Sequence, residues 1–256
     1  MKANWAIIPD IKRIDDSLKL AERFGAAFEY NDFFVPTVYE DSNEVKQRIQ
    51  VYRSLPSFGA KNSLHGAFYD VTATSFDTTF RNHSRYLMEQ SMEIANELSC
   101  KGVVFHSGLI GSLELDNYIR PWISEMSKYL CELSEKNPGM DIYMENTFER
   151  NPAAFLGLME ACKGATNIKL CLDYPHAILT PVSVSEWVSA FKPYIGHIHL
   201  NDNDLKQDMH CPPGQGAIDF TEFKDLLGEI CSKVNVLIEV SGVEQQEAGL
   251  EYLDAL

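Results

Sequence analysis

The sequence predicts an α/β protein, a single (β/α)8 barrel spanning residues 1–256. Three observations carry this. A length of 256 residues suits one such barrel and is ample for its core. Short apolar runs alternate strictly with longer amphipathic stretches, which with right-handed crossovers gives a closed parallel sheet. No GxGxxG follows the first run, so an open dinucleotide-binding sheet is disfavoured.

In order, residues 5–8 form a strand stopped by Pro9-Asp10, and 11–24 carry apolar residues at helical spacing before Gly25. Residues 27–30 are strand two, 43–54 a helix, and 63–65 the end of strand three. The loop 66–77 is long for a βα connection and is expected to shape a pocket. A helix over 79–98, a strand over 103–106 and a helix over 114–136 follow. Strand five ends at Glu145, and Asn151-Pro152 reads as a cap with proline at the first helical position. Strand six is 168–173. Ser183 with Glu186 makes a capping box, strand seven is 195–199, and Asp219 with Glu222 repeats the box in acidic form. Strand eight is 234–239 and a last helix covers 247–255. That gives eight strands and eight helices, with no linker and no repeat beyond the alternation.

Composition narrows the function. The formal charge of −15 argues against a general polyanion binder and so against nucleic acid, because phosphate neutralisation needs Lys and Arg. The six cysteines show no CxxC pair and read as reduced core thiols. Cys211, beside His210 in a loop, is the one with a second reading, as a ligand or reactive thiol. No secretory h-region and no membrane-length apolar run is present, so a cytoplasmic protein with no membrane contact is expected. Oligomeric state is not encoded legibly.

The chemistry gathers at strand ends. Glu145 follows the apolar run 142–144, and His65, His106, Asp173, His199 and Glu239 end the other strands from three to eight. In a parallel barrel all these ends face one rim. His176, Asp208 and His210 lie in rim loops. Singly, each has a bland reading as a hydrogen-bonded histidine or a helix cap. Jointly, several buried carboxylates with few cations nearby call for a divalent metal. Glu145, Asp173, His199 and Glu239 form an oxygen-rich set suited to Mn²⁺, Mg²⁺ or Co²⁺ with positions open for substrate oxygens. Adding His65, His106, His176, Asp208 and His210 makes an imidazole-rich set suited to Zn²⁺, able to hold two or three ions. His197, two residues before His199, points inward one layer down. His83, in a helix, has no assigned role. Glu29, Phe33, Phe68 and Glu149 are candidate substrate-binding wall residues, the aromatics having plain core packing as their alternative. The amides of Gly214 to Gly216 are a candidate phosphate seat before a helix.

The segments SLHGAFYD, VVFHSG, MENTFE, LDYPHA, HIHLND, DMHCPPGQG and LIEVSG resemble the xylose-isomerase-like barrel superfamily over nearly the whole chain. That superfamily includes sugar and sugar phosphate isomerases and epimerases and the endonuclease IV group. By resemblance to the endonucleases, His65, His106 and Glu145 would bind one zinc ion. Glu145, Asp173, His199 and Glu239 would bind a second, and His176, Asp208 and His210 a third. By resemblance to the epimerases, Glu145, Asp173, His199 and Glu239 would form a single metal site, with Glu145 and Glu239 as the catalytic proton-transfer pair. HGAFYD and the long loop 201–218 look more like the isomerase/epimerase branch. The loop 31–41 is acidic and aromatic where a DNA-grasping loop would be basic, and the rim offers only Lys12, Arg13, Arg150 and Lys206.

The expected activity is therefore metal-dependent isomerisation or epimerisation of a small sugar or sugar phosphate. The alternatives are an endonuclease IV-like zinc phosphodiesterase acting on abasic-site DNA, and a non-catalytic metal-bound sugar sensor.

Overall fold

The computed structural model describes residues 1–56, 61–111 and 113–256. Eight parallel strands close into a barrel in sequence order, β1 to β8. They are β1 Asn4–Ile7, β2 Ala27–Tyr30, β3 Ser63–His65, β4 Gly102–His106, β5 Asp141–Glu145, β6 Ile168–Asp173, β7 Ile195–Leu200 and β8 Asn235–Ile238. β1 pairs with β8 over four residues, from Asn4↔Asn235 to Ile7↔Ile238, which completes the ring.

Alternation along the strands sorts the side chains. Ile7, Phe28, Leu64, Val103, Phe105, Ile142, Met144, Leu170, Leu172, Ile198 and Ile238 face outward into one large core beneath the helices. The opposite set faces the barrel axis. There Ala6, Ala27 and Leu237 make one small cluster and Val104, Tyr143 and Cys171 another. Two residues further along, toward the strand C-termini, the inward positions turn polar: His65, His106, Glu145, Asp173, His199 and Glu239. The barrel interior is thus ionisable at its mouth and mostly apolar below it, apart from the buried Glu29, Ser63 and His197.

The long helices are α1 Ile14–Phe24, α3 Ser42–Arg53, α4 Thr78–Glu97, α5 Asp116–Lys136, α6 Ala153–Ala161, α8 Val184–Phe191, α9 Phe220–Cys231 and α10 Val243–Asp254. Two short ones, α2 Pro36–Tyr39 and α7 Tyr174–Ile178, interrupt the expected strict alternation. α7 forms because Asp173, at the end of β6, also caps it: its carboxylate accepts the His176 amide at 2.6 Å.

Other helix boundaries follow expectation in part. At α6 it is Pro152 that sits in the cap position, while Asn151 accepts the Ala153 amide. Ser183 caps α8, but its hydroxyl also donates to the Glu186 carboxylate, so the box is closed from one side. Asp219 caps α9 by accepting from Thr221 and Glu222. α10 starts four residues earlier than its periodicity suggested, straight after Gly242, whose φ of +90° lets the chain turn off β8. No helix among the described residues is long and apolar enough to cross a membrane.

Candidate metal centre

Strand register sets the geometry. His106 pairs with Glu145 across β4 and β5, Glu145 with Cys171 across β5 and β6, and Asp173 with His199 across β6 and β7. Adjacent strand ends thus hand their side chains to one another with no loop intervening. Among the described residues five groups have their ligand atoms within 4.8 Å of one another; three contain the predicted ligands, His65/His106/Glu145 and Glu145/Asp173/His199/Glu239 at strand ends and His176/Asp208/His210 on α7 and the 201–218 loop.

The inner four are almost wholly screened from solvent. His199 Nδ1 lies 3.5 Å from Glu145 Oε1 and 3.4 Å from Glu239 Oε2. His65 and His106 approach the other oxygen of Glu145 with their Nε2 atoms, each at 3.5 Å. Burial pushes the Glu145 carboxyl up, but the imidazoles of His199 and His106 outweigh it and hold it well below the usual range. Glu239 is likewise raised by burial and lowered, on balance, by His199. Asp173 has no such rescue. Burial, only partly offset by His176, pushes it up to about 8. His106 is driven down to about 4 by burial and stays neutral.

The outer cluster is built differently. Asp208 Oδ2 sits 3.1 Å from both His176 Nε2 and His210 Nε2. The two histidines hold Asp208 well below the carboxylate range despite its burial. The Asp208 hydrogen bond, against partial burial, lifts His210 to about 9. His210 has φ +49°, a left-handed conformation that an L side chain seldom adopts.

Tautomers are legible from the far side of each ring. The Nδ1 atoms of His65, His176 and His210 lie 3.0, 3.0 and 2.9 Å from the carbonyls of Gly66, Asn146 and Glu239. A carbonyl can only accept, so Nδ1 carries a proton and Nε2 is the nitrogen left for a cation once it is deprotonated.

A divalent cation fits this donor set. Glu145 Oε2, Asp173 Oδ2, His199 Nδ1 and Glu239 Oε2 are buried with no hydrogen-bond partner. Such atoms are costly unless something pairs with them: Glu145 Oε2 faces His65 and His106, and the other three belong to the inner four. Asp173 shows both of its readings at once: Oδ1 caps α7 and Oδ2 is left for the cluster.

The remaining candidates divide. Phe68 packs its ring against His65 and His106, with centroids 5.1 and 5.6 Å away, and walls the mouth. Glu149 lines a cleft of about 190 Å³ beside the outer cluster, with Phe148, Arg150, His176, Thr180 and Asp208. Its own carboxylate is engaged by Ser107 Oγ and the Thr147 amide. Phe33 is not at the mouth: it is fully buried and packs on Tyr52. Glu29 is not a wall residue either. It lies at 0 % exposure below the ligands, against His197, His199 and Ser63. The phosphate seat is overturned too. The Gly214, Gly216 and Ile218 amides all donate to the Asp202 carboxylate, at 2.9, 2.8 and 3.0 Å, so that anion site is filled by the protein itself. Cys211 pairs its backbone with Asp202 and contributes no ligand atom to any of the groups above.

Sequence reading missed Asn146. Its side chain clamps the Asp173 backbone from both sides and its carbonyl takes His176 Nδ1. Its place directly after Glu145 was the available signal. Cys171 was read as a core thiol, and it does lie inside the barrel, but within ligand distance of Glu145 and His199.

The sequence pattern of the xylose isomerase-like TIM barrel family matches residues 14–256. The chain belongs to that family. Among xylose isomerase-like barrels, a Thermus thermophilus protein soaked with ZnCl2 superposes with a TM-score of 0.78 at 23% identity, over 98% of this chain and 96% of that one. The fructoselysine 3-epimerase of Escherichia coli O157:H7 is 24% identical over 188 residues, 70% of this chain and 66% of its own. A probable endonuclease 4 of Mycobacterium leprae is 26% identical over 163 residues, 59% of this chain and 62% of its own. The family's relatives thus include both sugar epimerases and endonucleases.

Proposed function

We propose that this chain is a divalent-metal-dependent epimerase or isomerase of a small ketose. The observation that carries the reading is the pair Glu145 and Glu239. Both approach the same His199 nitrogen, both are held ionised, and each retains an unpartnered oxygen. Glu145, Asp173, His199 and Glu239 would hold the cation, which supplies polarisation of a bound carbonyl and so acidifies the adjacent C–H. Ionised Glu145 and Glu239 are then competent to take that proton and return one. Phe68 offers an apolar face at the mouth, and Asn146 keeps Asp173 and His176 in register. With the loop amides committed to Asp202, an unphosphorylated sugar suits the site better than a sugar phosphate.

The test is exchange of the substrate's carbon-bound hydrogen with deuterated solvent. Manganese- or cobalt-loaded protein is incubated with a panel of ketoses and ketose phosphates. Exchange on at least one ketose supports the reading, and its absence across the panel would sink it.

A second reading, a zinc phosphodiesterase acting on abasic-site DNA, is favoured by one observation. His176, Asp208 and His210 assemble as a third group beside the other two. Against it, Arg13 is tied to Asp16 and Glu244 and Arg150 faces Glu114, so half of the four rim cations already have acidic neighbours. Incision of an abasic duplex at low salt by zinc-loaded protein would decide for it.

A further inference from the structure

The carboxylate of Glu29 takes no part in the chemistry above, yet it is among the most deeply buried charges in the molecule. Its Oε2 accepts the Ser63 hydroxyl at 2.7 Å and lies 2.8 Å from His197 Nε2. Its Oε1 lies 3.1 Å from His199 Nε2. The contacts to the two imidazoles are close but lack the alignment of hydrogen bonds.

His199 differs from three other histidines of the centre in a way that gives Glu29 a purpose. His65, His176 and His210 face the clusters with Nε2 and spend Nδ1 on a backbone carbonyl. His199 is turned the other way round. Its Nδ1 faces Glu145 and Glu239, and its Nε2 points down the barrel axis to Glu29. Among its described contacts, the group that meets Nε2 is a carboxylate instead of a carbonyl.

We propose that Glu29 is a positioning residue for His199. It keeps the proton on Nε2, leaves the Nδ1 lone pair for the cation, and is itself held by Ser63 and His197. The inference rests on the divalent-cation part of the proposed function and is independent of the sugar chemistry. Partners of this kind on the far nitrogen of a ligating histidine fix its orientation and raise its basicity. The rival arrangement is that Glu29, His197 and His199, which also lie within 4.8 Å of one another, hold an ion themselves.

The first test uses the unaltered protein, labelled with ¹⁵N-histidine and loaded with cadmium-113. Cadmium coupling at His199 Nδ1, with Nε2 protonated, is expected; coupling at Nε2 overturns the proposal. The second test compares two variants by manganese affinity and ion count per chain. Glu29→Gln, which keeps the shape, is expected to weaken binding about 10- to 100-fold with the count unchanged, and an effect below about threefold overturns the proposal. Glu29→Asp, which keeps the charge, is expected to lose less. A reversed order overturns the proposal, because packing rather than charge would then be the contribution. Loss of one whole ion in Glu29→Gln also overturns it, since Glu29 would then be a ligand. If Glu29→Gln does not fold, the cadmium spectrum decides alone. A failed exchange assay would remove the sugar reading without touching either result.

Discussion

The inner and outer clusters use the same residue types and are held by opposite means. Glu145, Asp173 and His199 end strands whose register is fixed by the ladder, and Glu239 follows β8 directly, its amide bonded to the Leu200 carbonyl. Asp208 and His210 hang on the 201–218 loop, with His210 in a left-handed conformation and much of its side chain in solvent. What holds that loop is Asp202. Its carboxylate accepts the amides of Asn203, Gly214, Gly216 and Ile218, and its backbone pairs with Cys211. A ladder defines position through many shared bonds, whereas a loop closed on one carboxylate can be released by one substitution. The inner cluster is therefore expected to be the persistent site and the outer one the adjustable site.

The largest expected effect tests whether the two clusters have different jobs. Glu239→Gln keeps an oxygen for the cation but removes a proton carrier, and solvent exchange on a ketose should fall by about 10²- to 10⁴-fold. Asp208→Asn, the parallel change in the outer cluster, should leave exchange within a fewfold of the parent. Equal loss in both variants would erase the distinction and favour a chemistry that needs all three groups. The next effect is local to the loop. Asp202→Ala should weaken zinc binding at His176/Asp208/His210 about 10- to 100-fold while the inner cluster keeps its ion, read by titration with metal counting. A matching loss inside would mean that the loop, and not the ladder, organises the whole mouth.

The inner cluster was more legible in sequence than the outer for the same physical reason. A strand-end residue is placed by the fold as soon as the barrel is recognised, so His65, His106, Glu145, Asp173, His199 and Glu239 needed only the alternation of apolar runs. Loop residues have no such periodicity. Asp208 and His210 were read as rim-loop candidates, and only resemblance grouped them with His176, whereas Asp202 was passed over. The Gly-rich stretch that it clamps was read as a phosphate seat, because free amides and amides closed by a side-chain carboxylate look identical in sequence. Glu29 was misplaced by the same ambiguity: a glutamate ending a strand reads as rim, and only the barrel's stagger puts it below His199. Asn151-Pro152 shows the limit at helix ends, where two good cap residues in tandem leave the register open by one.

Protonation gives a separate test of the outer cluster. His210 is lifted to about 9 by Asp208, and His176 stands well above its ordinary value, chiefly because Asp173 and Asp208 outweigh its burial. Both imidazoles are therefore protonated near neutrality before a cation arrives, and both must lose that proton on binding. The raised His210 value means that its ion pair stabilises the cation-free loop fully below the unfolded-state value and that this support is lost as pH rises through about 9. Metal affinity runs the other way, rising with pH over the same window. Zinc binding at the outer cluster should therefore release about two protons per ion below that window, measurable as buffer-dependent heats in calorimetry. In the inner cluster His199 is raised well above its ordinary value and Asp173 is pushed up to about 8, so proton release is expected there too. Zinc binding at the outer cluster with no proton release would contradict the pairing of both imidazoles with Asp208.

The smallest expected effect lies between the clusters and the solvent. Phe68 rests edge-on against His65 and tilted against His106, on the 66–77 loop and not on a strand. It supplies contact area without charge, so it belongs to neither cluster's electrostatics. Phe68→Ala should raise KM for a ketose substrate about two- to tenfold, the range expected for one aromatic contact, with kcat and ion count nearly unchanged. A fall in ion count would show that the ring, by screening His65 and His106 from water, strengthens the charge interactions beneath it. The mouth loop would then be part of the metal centre, and the boundary between strand-held and loop-held parts would move outward by one residue layer.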